Sequence, residues 1–310
     1  MIPIAKIALF AVLVAACSGT TPSTLSEPIT VAASFYPIEE ILRQVGGTHV
    51  NVVELTPSGQ GAHDVQLTAK QLNILSSASA VFYISDGFQP DVEKAVASLP
   101  AAVVPVDLLQ SATLLEVVAQ LEGTEGETDG EVLASGKDPH VWLDPANMIA
   151  MTTAVADALS QLSSEFSAQF NAAAKSYIAE LQTLGAEIDT QLATCESRVL
   201  VTSHRAFAYL AKRANLRQVA IAGVNPEEEP SAKSLEVIAD FAKTNMVSTI
   251  FFETLLPADL AKTLADKVGA TADLLDPIEG ISSADIAAGA SYISIQRDNL
   301  SRIGKGLRCS

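Results

Sequence analysis

Residues 145–193 read PANMIAMTTAVADALSQLSSEFSAQFNAAAKSYIAELQTLGAEIDTQLA. Alanine, leucine, glutamine and glutamate recur throughout this stretch, and no proline follows Pro145 within it, a composition that favours an α-helix. The pair Ser163-Ser164 predicts a break between a first helix and a longer second helix that begins at about Glu165. At 1.5 Å per residue, the second helix would be about 40 Å long. We therefore predict a helix that is long enough to connect two domains.

Short apolar runs alternate with helical patterns on both sides of this stretch. Before it, the strand-like runs are residues 29–34, 50–55, 80–84 and 103–106, and the helical patterns are residues 37–45, 68–76 and 90–98. After it, the strand-like runs are residues 198–202, 218–222, 249–252 and 272–275, and the helical patterns are residues 206–214, 231–244, 258–268 and about 283–304. Strands that alternate with helices indicate parallel sheets that are covered on both faces.

These patterns predict an α/β fold in which two βα lobes with mostly parallel sheets are joined by a long, rigid backbone helix. The chain length of 310 residues also suits two domains. We place the N-terminal lobe at residues 29–163, the connecting helix at residues 164–194 and the C-terminal lobe at residues 195–310.

Residues 1–17 are predicted to be a lipoprotein signal, and residues 18–28 a flexible tether. Lys6 precedes the apolar run Ile7–Ala16, which is shorter than the ~20 residues of a membrane span and is typical of a secretory signal. The run ends in Val14-Ala15-Ala16-Cys17, which resembles a bacterial lipobox. We expect an exported protein whose lipidated Cys17 anchors it to the outer face of the cell membrane, at the cell surface or in the periplasm. The alternative is an ordinary cleaved signal in which Cys17 is incidental.

Cys195 and Cys309 remain if Cys17 carries the lipid. An exported chain lives in an oxidising compartment, where an even number of remaining cysteines indicates a disulfide. We predict that Cys195 and Cys309 form one, although two unpaired thiols remain the alternative.

The formal net charge of −17 argues against nucleic acid or an anionic membrane surface as the partner, since both require basic residues. It is compatible with a cationic ligand, and solubility alone also accounts for it. Part of the charge lies in residues 116–136, which hold six acidic residues and four glycines. We interpret this stretch as a solvated insertion, the alternative being a flap that attracts cations.

The candidate functional residues are histidines and carboxylates, most of them at predicted strand ends. His63 follows a Gly/Pro-rich loop, His140 precedes the first long helix, and His204 lies between a strand and a helix. Glu253 and Asp276 each follow a strand of the second lobe. Ligands of open α/β sheets bind at the carboxyl ends of strands, so these side chains are expected to meet in the cleft between the lobes. Three histidines and one aspartate would complete a tetrahedral zinc site.

Each histidine taken alone is more often a surface or hydrogen-bonded residue than a ligand. The spacing between them is long, and it lacks the specificity of a short zinc motif such as HExxH. His49, the fourth histidine, opens a strand and is interpreted as structural.

Seven segments of the chain together match the motifs of one family. They are Val31–Pro37, Gly61–Asp64, Asp138–Pro145, Ser203–Leu210, Glu227–Ser231, Phe252–Thr254 and Leu275–Pro277. Over essentially the whole mature chain, the sequence resembles the zinc/manganese class of solute-binding proteins of bacterial ABC transporters, the cluster A-I group. The resemblance implies two α/β lobes joined by a rigid helix, a divalent metal ion as the transported ligand, and an ABC permease as the partner.

By motif, the metal ligands of that family fall on His63, His140, His204 and Asp276. Glu253 matches a family glutamate that lies near the site and is not usually a ligand, so it is expected beside the ligands. Manganese members commonly carry glutamate at the position of His204. The histidine here therefore favours Zn²⁺, since manganese prefers oxygen-rich sites. The alternative is a binding protein for manganese or iron.

Asp64 and Asp144 stand beside ligand histidines and are candidates for orienting the imidazole rings. A shell of four protein ligands leaves no water to activate, so we expect a binding protein without enzymatic activity. We also expect a monomer. The alternatives are a zinc hydrolase with Glu253 as general base, for which no HExxH motif is present, and a surface adhesin with a structural metal. The stretch 116–136 contains no histidine, unlike the corresponding loop of many zinc members, which argues against metal scavenging there.

Overall fold

The computed structural model of the chain describes residues 27–63, 65–117, 121–122, 134–224, 226, 230–254 and 257–310. Several predictions from the sequence fall outside these described residues. They concern the signal with Cys17, nearly all of the tether, Asp64, most of the acidic stretch 116–136 and the motif residues Glu227–Glu229.

The N-terminal lobe contains the first sheet. Its strands are β1 (Ile29–Ala33), β2 (Val50–Glu54), β3 (Ala80–Tyr83) and β4 (Val104–Asp107), and its helices are α1 (Tyr36–Gly46), α2 (Ala69–Ser77) and α3 (Pro90–Val96). All pairings are parallel, in the order β2-β1-β3-β4. The central strands bury Val31, Ala33 and Phe82 completely, as expected for a parallel sheet that helices cover on both faces.

The connecting region consists of α4 (Pro145–Leu162), a 3-10 turn (Ser164–Phe166) and α5 (Ser167–Ala193). Asp144 caps α4 by accepting a hydrogen bond from the Ala146 N–H. With 27 residues, α5 is about 40 Å long, as the sequence predicts. Within the described ranges, no helix combines the length and the apolar character that crossing a membrane requires.

The C-terminal lobe contains the second sheet. Its strands are β5 (Val199–Thr202), β6 (Arg217–Ala220), β7 (Thr249–Phe252) and β8 (Thr271–Leu274), and its helices are α6 (Ala208–Arg213), α7 (Ala232–Thr244), α8 (Asp259–Val268), α9 (Ser283–Ala287) and α10 (Tyr292–Gly306). The parallel order β6-β5-β7-β8 repeats that of the first sheet. The predicted α/β fold of two βα lobes is therefore confirmed.

The C-terminal helix differs from its prediction, because two helices replace the single helix expected over residues 283–304. Gly289 lies between α9 and α10 with a φ of 82°, a conformation that ends helices and that glycine adopts without strain. Ser291 then caps α10, since its side chain accepts a hydrogen bond from the Ser294 N–H.

One apolar core runs through both lobes, and α5 lies along it. The buried face of α5 consists of Phe170, Ala174, Tyr177, Leu181, Leu184, Gly185, Ile188 and Leu192. This helix contacts α1 and α4 of the N-terminal side and α10 of the C-terminal side. The core cluster extends from Val31 in β1 to Phe251 in β7. Continuous packing, rather than a flexible linker, therefore holds the two sheets together.

Arg213 of α6 also links the C-terminal lobe to the connecting helices, through ion pairs. Its Nε and Nη2 atoms donate to the two carboxylate oxygens of Asp189 in α5 at 2.8 and 2.7 Å, and its Nη1 atom donates to Asp144 Oδ1 at 3.0 Å. Gly185 provides the space, because a Cβ atom there would lie 2.8 Å from Arg213 Nη2. One guanidinium thus joins the C-terminal lobe to α5 and to the start of α4.

A disulfide joins Cys195 to Cys309, as predicted. The two residues also pair as an isolated antiparallel bridge. The bond connects the end of α5 to the end of α10 and closes a segment with a sequence separation of 114 residues. Such a cross-link restricts the unfolded chain over the whole C-terminal lobe.

The double variant Cys195→Ser/Cys309→Ser should lose about 2–4 kcal/mol of unfolding free energy, because the unfolded chain regains the freedom that the cross-link removes. Guanidinium denaturation measures this loss. The wild-type protein under reducing conditions is the matched control and should unfold at the midpoint of the variant. An unchanged midpoint in the variant would contradict a stabilising role for this disulfide.

Candidate metal centre

Three histidines from the strand-end loops meet between the lobes. His63 lies in the loop that follows β2, His140 precedes a 3-10 turn (Val141–Leu143), and His204 follows β5. They are 3%, 0% and 0% exposed, respectively. The structure thus brings together the three histidines that the sequence singles out. His63 and His204 meet because parallel strands of both lobes present their carboxyl ends to the same cleft, and His140 reaches it from the segment before α4.

Glu279 is the fourth member of the group, and it was not predicted from the sequence. Its Oε1 atom lies 3.2 Å from His63 Nε2, 3.6 Å from His140 Nε2 and 3.2 Å from His204 Nε2. The Nε2 atoms of His140 and His204 are 3.2 Å apart. A zinc ion with tetrahedral ligands at about 2.0–2.1 Å has donor–donor edges of about 3.3–3.4 Å. Four of the six donor–donor distances therefore already lie close to those of a tetrahedral zinc site, and all four donor atoms lie within 4.8 Å of one another.

Carboxylates contact two of the imidazole rings at the Nδ1 atom. Asp138 Oδ1 lies 2.9 Å from His140 Nδ1 and also accepts the His140 backbone N–H. Glu253 Oε2 lies 2.6 Å from His204 Nδ1, and its Oε1 atom accepts the His204 backbone N–H at 2.9 Å. A carboxylate at Nδ1 fixes the proton on that nitrogen in the neutral ring, so the Nε2 lone pair is directed at the cage.

The charges inside the cage shift its protonation in the metal-free protein. Burial alone would lower the pKa of His204, but Glu253 and Glu279 outweigh burial and raise this pKa from 6.5 to about 10. Burial alone would raise the pKa of Glu279, but the three imidazoles hold it well below its ordinary value. A proton on His204 and a metal cation would therefore compete for the same buried donors.

Aromatic side chains close the cage toward the N-terminal lobe. Phe88 lies with its ring centroid 5.0 Å from that of His63, and Trp142 lies 5.3 Å from His140. Phe35 packs against both aromatic rings. Exclusion of water by these rings strengthens electrostatic interactions within the site.

Asp276, expected as the fourth ligand, lies outside the group of four donors. Its Oδ1 atom accepts the Ile278 N–H at 2.7 Å, and its side chain borders a separate cavity of about 400 Å³ next to Ser294 and Asn299. Burial raises the pKa of Asp276 to about 6. The chain turns between Asp276 and Glu279, with Ile278 at a φ of 57°, and this turn places the later carboxylate in the cage. The only sequence signal was a second acidic residue in the same loop.

One of the two carboxylates that contact the imidazole rings, Asp138, differs from those expected. Asp144 caps α4 and pairs with Arg213, so it serves the connecting helices. Asp138 contacts His140 instead, because its position two residues earlier lets one carboxylate oxygen reach both N–H groups of that histidine. Asp64 lies outside the described residues. Glu253 stands beside the cage, against His204, where the resemblance places it.

The family model described as ZnuA, "Zinc-uptake complex component A periplasmic", matches residues 31–306. The zinc-binding lipoprotein AdcA of Streptococcus pneumoniae is 31% identical over 292 residues, which cover 94% of this chain and 58% of AdcA. The high-affinity zinc uptake system protein ZnuA of Bacillus subtilis is 30% identical over 307 residues, with 95% and 94% coverage. The chain thus spans a little over half the length of its AdcA relatives and nearly all of ZnuA.

Solved structures agree in fold. The Zn(II)-bound ZnuA-like domain of S. pneumoniae AdcA aligns with a TM-score of 0.76 at 30% identity and covers 90% of this chain and 99% of that domain. The laminin-binding protein Lmb of Streptococcus agalactiae aligns with a TM-score of 0.79 at 27% identity, with the same coverage. With two α/β lobes, a buried cage of three histidines and one glutamate, and a family model that matches most of its length, the chain belongs to the ZnuA family of zinc-uptake components.

Proposed function

We propose that this protein captures a divalent transition metal outside the cytoplasm, zinc above all, and delivers it to an ABC importer. The metal is held by His63, His140, His204 and Glu279. The observation that carries the proposal is the close approach of these buried donors. Glu279 Oε1 lies 3.2–3.6 Å from the three imidazole nitrogens, and His140 Nε2 lies 3.2 Å from His204 Nε2, distances that fit the edges of a tetrahedral zinc site.

The chemistry of the donor set favours zinc over the alternatives. Three imidazole nitrogens and one carboxylate oxygen suit zinc, whereas manganese prefers a larger number of oxygen ligands at longer distances. The histidine at position 204 supplies the third nitrogen. Relatives that cover most of this chain are named for zinc binding or zinc uptake, which supports the same ion.

The geometry supports a carrier rather than a hydrolase. Four protein donors fill a tetrahedral shell and leave no position for a water molecule that the metal would activate. Glu253, the candidate general base of a hydrolase, has both oxygens engaged by His204. The bound ion is therefore the cargo and not a catalyst.

Several parts of the proposal concern the protein as a whole. We infer that Cys17 carries a lipid that anchors the chain to the outer face of the cell membrane, and that residues 18–28 are the tether. We also infer that the protein is a monomer. We divide the chain into lobes at residues 29–163 and 195–310 with the connecting helix between them. The lipobox-like sequence and the lipoprotein name of the AdcA relatives support the anchor.

The His140→Ala variant should lose at least about a hundredfold in zinc affinity, because it removes a ligand and leaves an open cage. Competition with a chromophoric zinc chelator measures the dissociation constant. His49→Ala is the matched control, because His49 stacks on Phe166 with a centroid distance of 3.9 Å and lies outside the cage. Wild-type affinity in the His140 variant would refute this site.

Two neighbouring carboxylates should respond differently to loss of charge. Glu279→Gln should weaken zinc binding about tenfold or more, because it replaces an anionic ligand by a neutral amide. Asp276→Asn should change the affinity little, since asparagine keeps the oxygen that accepts the Ile278 N–H. The same competition measurement compares the two variants, and the reverse order would make Asp276 the ligand.

Zinc binding at pH 7 should release about one proton, because a ligand imidazole must be neutral whereas the pKa of His204 in the metal-free protein is raised to about 10. Protons compete with zinc below that pKa, so the affinity should fall as the pH falls. Titration calorimetry in buffers of different ionisation enthalpy counts the protons. Glu253→Gln removes one cause of the raised pKa and should release fewer. A binding enthalpy that is independent of the buffer would contradict this protonation.

A further inference from the structure

The turn that presents Glu279 to the cage is strained. Ile278, the residue before Glu279, has a φ of 57°, in the left-handed region that β-branched residues avoid. A backbone in such a conformation persists only where the surrounding structure holds it. The position of the Glu279 carboxylate therefore depends on the contacts that fix this turn.

Contacts from the C-terminal lobe hold the start of the turn. The Asp276 N–H donates to Asn299 Oδ1 at 2.9 Å, and Asn299 Nδ2 donates to the Asp276 carbonyl oxygen at 2.7 Å. The Asp276 side chain in turn accepts the Ile278 N–H at 2.7 Å. Asn299 of α10 is 2% exposed, so solvent does not compete for these bonds.

A contact from the N-terminal lobe holds the middle of the turn. The indole Nε1–H of Trp142 donates to the Pro277 carbonyl oxygen at 2.7 Å. The Trp142 carbonyl oxygen accepts the Tyr292 hydroxyl at 2.5 Å. The indole is fully buried, and Phe35 packs against it with a centroid distance of 4.8 Å. The ring and its N–H therefore have one orientation.

We propose that Trp142 is a positioning residue for metal capture, whose indole N–H fixes the strained turn so that Glu279 faces the three imidazoles. Trp142 lies two residues after His140, in the 3-10 turn (Val141–Leu143) that His140 precedes. One segment of the N-terminal lobe thus supplies a ligand and also locates the carboxylate ligand of the other lobe. Holding the carboxylate in this way preorganises the cage for the ion.

This inference rests on the proposed zinc-binding function, and a double-mutant cycle on the full chain tests it. Trp142→Phe removes the N–H donor and keeps an aromatic ring, and it should weaken zinc binding about tenfold or more, as loss of a supporting hydrogen bond does at metal sites. In a Glu279→Gln background, the same substitution should change the affinity less than about twofold, because its effect runs through Glu279.

A spectroscopic signature separates positioning from general support of the fold. The ligand-field spectrum of bound Co²⁺ should shift in Trp142→Phe toward that of Glu279→Gln, since both variants weaken the carboxylate ligand. Tyr177→Phe is the matched control, because Tyr177 is a buried aromatic residue of α5 whose hydroxyl has no hydrogen-bond partner among the residues that the structure describes. It should leave both the zinc affinity and the Co²⁺ spectrum unchanged.

The possible outcomes are distinct. Wild-type affinity in Trp142→Phe, or an equal loss in both backgrounds, would overturn the positioning role while leaving the metal site intact. Failure of the wild-type protein to bind one zinc ion would instead overturn the proposed function. If Trp142→Phe does not fold, Asn299→Ala releases the other side of the turn. The loss of zinc affinity in Asn299→Ala should likewise depend on Glu279. A loss of affinity that does not depend on Glu279 would equally overturn the proposal.

Discussion

A buried carboxylate that faces three imidazoles is the contact on which the rest of the site depends. Removal of a charge from water costs several kcal/mol unless opposite charge and hydrogen bonds replace the solvent. Here the metal-free protein meets that requirement with a proton on His204, whose pKa is raised to about 10. A zinc ion meets it with two positive charges at the same place. The aromatic side chains of Phe35, Phe88 and Trp142 keep water out of the site. Asp138 and Glu253 fix the imidazole rings.

The fold was predictable because the signals for it are local. Each strand and helix carries its own apolar periodicity, and the break at Ser163-Ser164 separates two helices where α4 and α5 separate. His63 and His204 were predictable for the same reason, since they follow strands and the ends of parallel strands share one edge, whereas His140 stands before the first long helix. Gly289, which divides the C-terminal helix, was a weaker signal, because a single glycine is tolerated within many helices.

The choice between Asp276 and Glu279 was not predictable from the residues, because it is made by a backbone conformation. Either carboxylate lies in the loop after β8, and only the left-handed conformation of Ile278 decides which one enters the cage. That conformation is imposed by Trp142 and Asn299, which are far away in the sequence. The orienting role of Asp138 instead of Asp144 has a similar origin, since it depends on how the chain enters the segment of His140.

The core shared by both lobes links the stability of the whole protein to binding of the metal ion. A ligand that binds only the native state stabilises it by RT ln(1 + [ligand]/Kd). α5 and Arg213 join both sheets to one packed core. Neither lobe therefore unfolds without disturbing the other. The stabilisation by the bound ion thus applies to both lobes together. Proteases attack chains through their opened states. The lifetime of the protein among proteases would therefore be linked to the concentration of the ion that it is proposed to capture.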